Sequence, residues 1–170
     1  LSESEVRARL YAIVNGVTNV GEVYDYRRWA VLYSDLLNLY KTTISGTVYL
    51  RGWTVSCDGW PESTYLEGSY PDEESNAKTI VVRRYTFKIR GYMGWNDANA
   101  SEKTAIALVE DVIEALDNDD NLHRLGAILE DYWGEIPPAT LDVFEPRLFG
   151  NELVHYAEIT QVVTEVVAIS

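Results

Sequence analysis

The side chains of this 170-residue chain that could do chemistry are two histidines, one cysteine, 27 acidic residues and a small cluster of bases. His155 sits in the strand LVHYAEIT and His123 in a turn after a helix. Neither has a close Cys or Ser in a recognised catalytic motif, and a nucleophilic site needs base, orienter and nucleophile together. Structural or surface roles are therefore expected for both. Asp117, Asp119 and Asn121 imitate the start of a calcium loop, but Leu122 stands where the sharp turn needs Gly and Ile128 where the bidentate Glu belongs. A solvated helix end is the better reading. Cys57 is alone, which excludes an intramolecular disulfide and a Cys-based zinc site, and a half-buried position near a strand end is expected. Gly52, Gly91 and Gly94 form neither a dinucleotide fingerprint nor a P-loop. Carboxylate pairs are too numerous for a glycosidase-like pair to be singled out. No catalytic residue, cofactor site or metal ligand is assigned, no cofactor is implied, and the chain does not read as an enzyme.

The bases are unevenly placed. Lys and Arg number 14 against 27 Asp and Glu, a net charge of −13, yet four of the bases lie between Arg83 and Arg90. Residues 102 to 145 carry twelve acids and only Lys103 and Arg124 as bases. Such a balance argues against nucleic-acid binding by the whole surface, because neutralising phosphates takes a large basic area. Arg84, Lys88 and Arg90 fall on one face of a strand, and two readings stand side by side. They blunt a solvated sheet against edge pairing, or they form an assembly surface that meets acids of an adjacent subunit or a lumen facing DNA. Tyr92, Trp95, Trp60, Tyr65 and Tyr70 join these three as candidate interface residues, since exposed Trp and Tyr are frequent interface anchors. Trp53 and Trp133 share that ambiguity between core and interface.

The element that must position the basic row runs from Arg83 to Asp117. Val81, Tyr85, Phe87 and Ile89 alternate with Arg84, Thr86, Lys88 and Arg90, the period of a half-buried strand, with Arg83 interrupting the apolar row. Asn99 and Glu102 have capping-box spacing, and Ile106, Val109, Ile113 and Leu116 then recur at helical spacing, with Glu110, Asp111, Glu114 and Asp117 on the other side. A strand feeding its own covering helix is the seed of an α+β domain.

Before it, the sequence predicts a helix over 4–15, a loop over 17–24, a second helix from Asp25 to Lys41 and a strand over 47–57. The segment 58–77 is dense in Gly, Pro, Ser and acids and reads as one long connection, and loops of that length are usually functional or disordered. After the central helix, residues 122–133 suit a short helix or an edge strand. Pro137 and Pro138 stop it, and Thr140–Phe144 and Leu153–Val167 form a hairpin through Pro146, Gly150 and Asn151. The last strand is long enough to cross the sheet or reach a neighbour. We thus expect one domain over 1–170, α+β, with a mostly antiparallel sheet of about four strands packed against amphipathic helices. No apolar run approaches a membrane span, and the opening LSESEV lacks the basic and apolar regions of a signal peptide, so a cytoplasmic chain is expected.

Three stretches carry a family resemblance: VRARLYAIVNGVTNVGEVYDYRRW, YTFKIRGYMGWNDANASEKTAIALVEDVIEAL and ELVHYAEITQVVTEVV. In wording and in order of elements the chain resembles the tail terminator and neck proteins of long-tailed bacteriophages, small α+β subunits that assemble as a ring at the head-proximal end of the tail. The second helix and the 58–77 connection are additions relative to the smallest members. The resemblance implies a homo-oligomeric ring, a hexamer in the family, with the tail tube protein and the head connector protein as partners. DNA would be only passing cargo, no membrane is involved, and the location is the virion neck, assembled in host cytoplasm. Arg84 to Arg90 and the 58–77 loop would then be the candidates for subunit and tube contacts. Two other readings stay open: another phage structural subunit, such as a tail tube or head-tail connector component, and a small α+β ligand-binding domain, which would need a pocket with convergent polar groups.

Overall fold

A computed structural model describes residues 3–28, 33–68, 78–119 and 137–169. Three helices, α1 (Glu3–Asn15), α2 (Tyr33–Leu39) and α3 (Ser101–Asp117), accompany seven strands: β1 (Glu22–Tyr24), β2 (Lys41–Ile44), β3 (Thr47–Cys57), β4 (Glu62–Gly68), β5 (Lys78–Gly94), β6 (Thr140–Phe149) and β7 (Glu152–Ile169). All seven strands form one sheet, with β1-β3-β5-β7-β6 as its main path, β2 on β3 and β4 on β5. The α+β class fits the expectation. The sheet itself corrects it, being seven-stranded and mixed rather than mostly antiparallel with about four strands, because β1 runs parallel to β3.

The correction has local causes. β1 lies inside the expected loop over 17–24; three residues are too few to show a period, and Glu22 to Tyr24 become a strand only by pairing with Gly52 to Thr54. Of the expected helix over 25–41, seven of the described residues form α2, and residues 29–32, with Trp29 and Leu32, lie outside the described residues. Lys41 to Ile44 instead turn at Ser45 (φ 51°) and Gly46 (φ 82°) and pair back on β3, the two-residue hairpin geometry with positive φ at both centres. β4 occupies residues 62–68 of the expected 58–77 connection, and 69–77, like the expected element over 122–133, His123 and Asn121 of the calcium-like spacing, lie outside the described residues.

β5 and β7 form the spine, paired without a break from Thr79↔Ile169 to Gly94↔Val154. Their length lets β5 carry two strands in succession on its other edge, β4 against residues 78–84 and β3 against 87–93. One sheet face buries Trp53, Val55, Phe87, Ile89, Ala157 and Ile159 under α1 and α3. α1 contributes Val6, Leu10 and Val14, and α3 contributes Ala105, Leu108, Val109, Val112 and Leu116. Ile106, expected inward, is instead 41% exposed, because Ala105 and Leu108 rather than Ile106 define the inward stripe. The expected capping box is also absent: Ala100 is the N-cap in the left-handed region, and no side chain caps the helix.

A smaller core lies at one end of the opposite face, where Tyr40, Phe149 and Val154 meet Leu36, Leu37 and Tyr92. Gly52 makes this possible, since a Cβ there would come within 2.3 Å of the Tyr40 ring.

Candidate functional site

The strand alternation read from the sequence holds through the pleat. Tyr85, Phe87, Ile89 and Met93 are buried, while Arg84, Lys88, Arg90 and Tyr92 belong to the opposite face. On that face the bases meet acids of their own chain. Lys88 Nζ lies 2.6 Å from Asp142 Oδ2, 3.1 Å from Glu158 Oε1 and 2.7 Å from Thr160 Oγ1. Arg90 Nε donates to Glu158 Oε2 at 2.9 Å, and the Tyr156 hydroxyl donates to the same oxygen at 2.8 Å. Register explains the convergence, because Arg90 pairs directly with Glu158 and Lys88 with Thr160 across β5 and β7.

These contacts set the charge states. Burial alone would push the Glu158 carboxyl up, but hydrogen bonds from Tyr156 and Lys88 and the charges of Arg90 and Lys88 bring it below the usual range. The Asp142 carboxyl is lowered by hydrogen bonds from Lys88 and Thr160, against a small opposing effect of burial. Burial works against the Lys88 ammonium, yet Asp142 and Glu158 raise it above its ordinary value. Burial and the Glu158 bond push the Tyr156 phenol up to about 12.

The other sequence-derived candidates do not form one patch. Arg84 is exposed, in register with Glu62 of β4 and Thr164 of β7. Trp60 is 95% exposed at the β3–β4 turn. Trp95 follows β5, 37% exposed, with its ring stacked 4.3 Å from that of His155. The Tyr65 backbone pairs with Val81 within β4 and β5, and Tyr70 lies outside the described residues.

Two arrangements were not legible in the sequence. In the first, Ser101 Oγ lies 2.8 Å from His155 Nε2, and the same oxygen accepts the Asn96 N–H at 2.8 Å. His155 is buried between Trp95 and Phe144, so the pair ties the start of α3 to β7. Burial lowers the His155 pKa despite the opposing charge of Glu102. A folded-state value below the ordinary 6.5 means the unfolded chain binds the proton more readily, so stability is complete above pH 6.5 and is lost as pH falls through the folded value. An NMR titration of the His155 ring should give a midpoint below 6.5, and a midpoint at or above it would refute the burial argument.

The second is a cleft of about 310 Å³ on the face opposite α1 and α3. Thr54, Tyr92 and Tyr156 of the sheet line it, Arg27, Arg28 and Tyr40 flank it on one side, and Arg147 and Phe149 of β6 on the other. Arg90 reaches into it while Nη1 donates to Ser56 Oγ at 3.0 Å. Arg27, Thr54, Arg90 and Arg147 come from four separate segments, and only the strand order brings them together.

Among the described residues, no helix is long and apolar enough to cross a membrane, and no group of three or more His, Cys, Asp or Glu is placed to hold a metal. A scan against protein-family models and a search of curated proteins both gave no match.

Proposed function

We propose that the protein is a structural subunit of a long-tailed bacteriophage neck, forming a ring that terminates the tail tube and joins it to the head connector. The sequence resemblance suggests this role, and one structural observation favours assembly. Beyond the region paired with β3 and β6, strands β4, β5 and β7 continue as a three-stranded extension. Among the described residues, no strand pairs with the edge of β4 away from β5, or with the edge of β7 away from β5 beyond Thr160. The β7 stretch 162–169, VVTEVVAI, carries one charge, Glu165. A long, mostly apolar edge with a single charge and no Pro to blunt it is a template for pairing with another chain. Two different open edges on one extension suit a head-to-tail contact, which closes into a ring when the rotation per subunit divides the circle. Six subunits follow from the family resemblance, and an acidic lumen would keep passing DNA from adhering.

The native mass of the purified protein, with electron microscopy of the particles, tests this. A closed ring, alone or on added tail tubes, is expected; open stacks would instead indicate a tube protein. Val167→Pro removes a backbone donor from the extension, away from the core under the helices. It should abolish ring formation while leaving the circular dichroism of the subunit unchanged. A variant that assembles like the parent would sink the edge-pairing model.

A further inference from the structure

The cleft beneath Tyr40 is separate from the strand edges through which the ring is proposed to form. Its walls combine two kinds of surface. Phe149, Val154, Leu36, Tyr40 and Tyr92 supply an apolar lining, and four arginines, Arg27, Arg28, Arg90 and Arg147, line it as well. At the floor, Thr54 is 2% exposed, and its hydroxyl has no hydrogen-bond partner among the described residues. A buried hydroxyl without a partner is costly, so an acceptor that reached it from the cleft would relieve that cost.

The charge balance selects the ligand. Arg27 pairs with Asp58, Arg90 with Glu158 and Arg147 with Glu145. Arg28 packs over the Tyr24 ring at 4.6 Å and has no carboxylate partner among the described residues. Lys88, which shares Glu158, is matched by Asp142. One positive charge is therefore left over, which suits a monoanion better than a dianion. Guanidinium groups bind planar carboxylates through paired N–H donors, and a volume near the lower end for ligand pockets suits a small organic group. We propose that this cleft binds an organic carboxylate carried on an apolar body, with Arg28 and Arg147 holding the carboxylate and Thr54 donating to it. The carboxylate comes either from a free small molecule or from an acidic side chain of a second copy of this chain.

The test uses the full-length protein labelled with ¹⁵N and ¹³C, titrated separately with 3-phenylpropionate and with inorganic phosphate. The Arg Nε–H signals and the Thr54 methyl signal are followed by NMR. Saturable shifts with 3-phenylpropionate at millimolar concentration or below are expected, with phosphate at least tenfold weaker. Arg28→Gln and Arg147→Gln should each weaken binding about tenfold. Thr54→Val removes the unpartnered hydroxyl, so it should fold at least as stably as the parent and still bind several-fold more weakly, an outcome a purely structural Thr54 would not give. Dilution of the unliganded protein separates the sources: shifts that follow protein concentration and are reversed by 3-phenylpropionate support the second copy, and concentration-independent spectra with saturable binding support the small molecule. No saturable shift with 3-phenylpropionate, or equal affinity for phosphate, overturns the proposal.

Discussion

Trp53→Ala should destabilise the protein by about 3–5 kcal/mol, the range for removing a large aromatic side chain from a packed core. Trp53 is fully buried, and its indole N–H donates to the Val20 carbonyl at 3.1 Å. The truncation therefore opens a cavity beneath the helices and orphans a carbonyl in the loop before β1. With a urea slope of about 2 kcal/mol per M, the midpoint should fall by roughly 2 M. Trp53→Phe keeps most of the volume and loses the donor, so it should cost about 1–3 kcal/mol. The more specific part concerns Gly91, the cross-strand partner of Trp53. A Cβ at Gly91 would lie 2.8 Å from Cη2 and Cζ3 of the indole. Gly91→Ala alone should cost about 1–3 kcal/mol by overpacking. In the Trp53→Ala background the clash is gone and the added methyl enters the cavity, so the same substitution should be neutral or stabilising. The double-mutant cycle should give a coupling above about 1 kcal/mol. Additive effects would show that the indole does not rest on Gly91.

That contact also marks how far the sequence could be read. The alternation through Tyr85, Phe87 and Ile89 located the central strand and its buried face, since a period of two needs no partner to be seen. The helix expected over 4–15 matches α1 to within a residue. Where local pattern and tertiary pairing compete, pattern misled. Leu36, Leu37 and Tyr40 fit a longer helix, but Thr42 and Thr43 suit a strand, and Ser45-Gly46 is a hairpin turn that makes Lys41 to Ile44 the partner of β3. Ile106 faces outward although its spacing fits the inward row, because a helix with apolar residues at Ala105, Ile106, Leu108 and Val109 has a broad stripe, and packing chose its centre. Arg84, Lys88 and Arg90 were legible as one face, but the pairing of Lys88 and Arg90 with Glu158 and Asp142 depends on the β5–β7–β6 order. The arginine cleft was hidden for the same reason, and the Ser101–His155 pair joins residues 54 positions apart.

Glu158→Leu should be the most damaging single change on the face opposite the helices, costing about 2–3 kcal/mol, because it strands two cations and a phenol at once. The Lys88, Arg90 and Glu158 side chains are only 14–18% exposed, so water replaces the lost carboxylate poorly. Glu158→Gln keeps an acceptor and should cost less, which separates lost charge from lost hydrogen bonding. Replacing Lys88 and Glu158 together by Met and Leu should cost less than the sum of the single changes, since an apolar pair leaves no unmatched charge between them. The pH dependence follows from the shifts. Glu158 and Asp142 are lowered from 4.5 and 3.8, so their contribution is complete above those values and is lost as pH falls through the folded ones. Lys88 is raised from 10.5, so its contribution is complete below that value and is lost as pH rises through the folded one. Urea midpoints measured across pH should therefore decline below about 4.5 and above about 10.5 from this network, with the His155 loss beginning nearer 6.5. In Glu158→Leu the alkaline decline should shrink, since Lys88 then keeps only Asp142. An unchanged alkaline limb would mean that the Lys88 to Glu158 contact adds nothing to the fold.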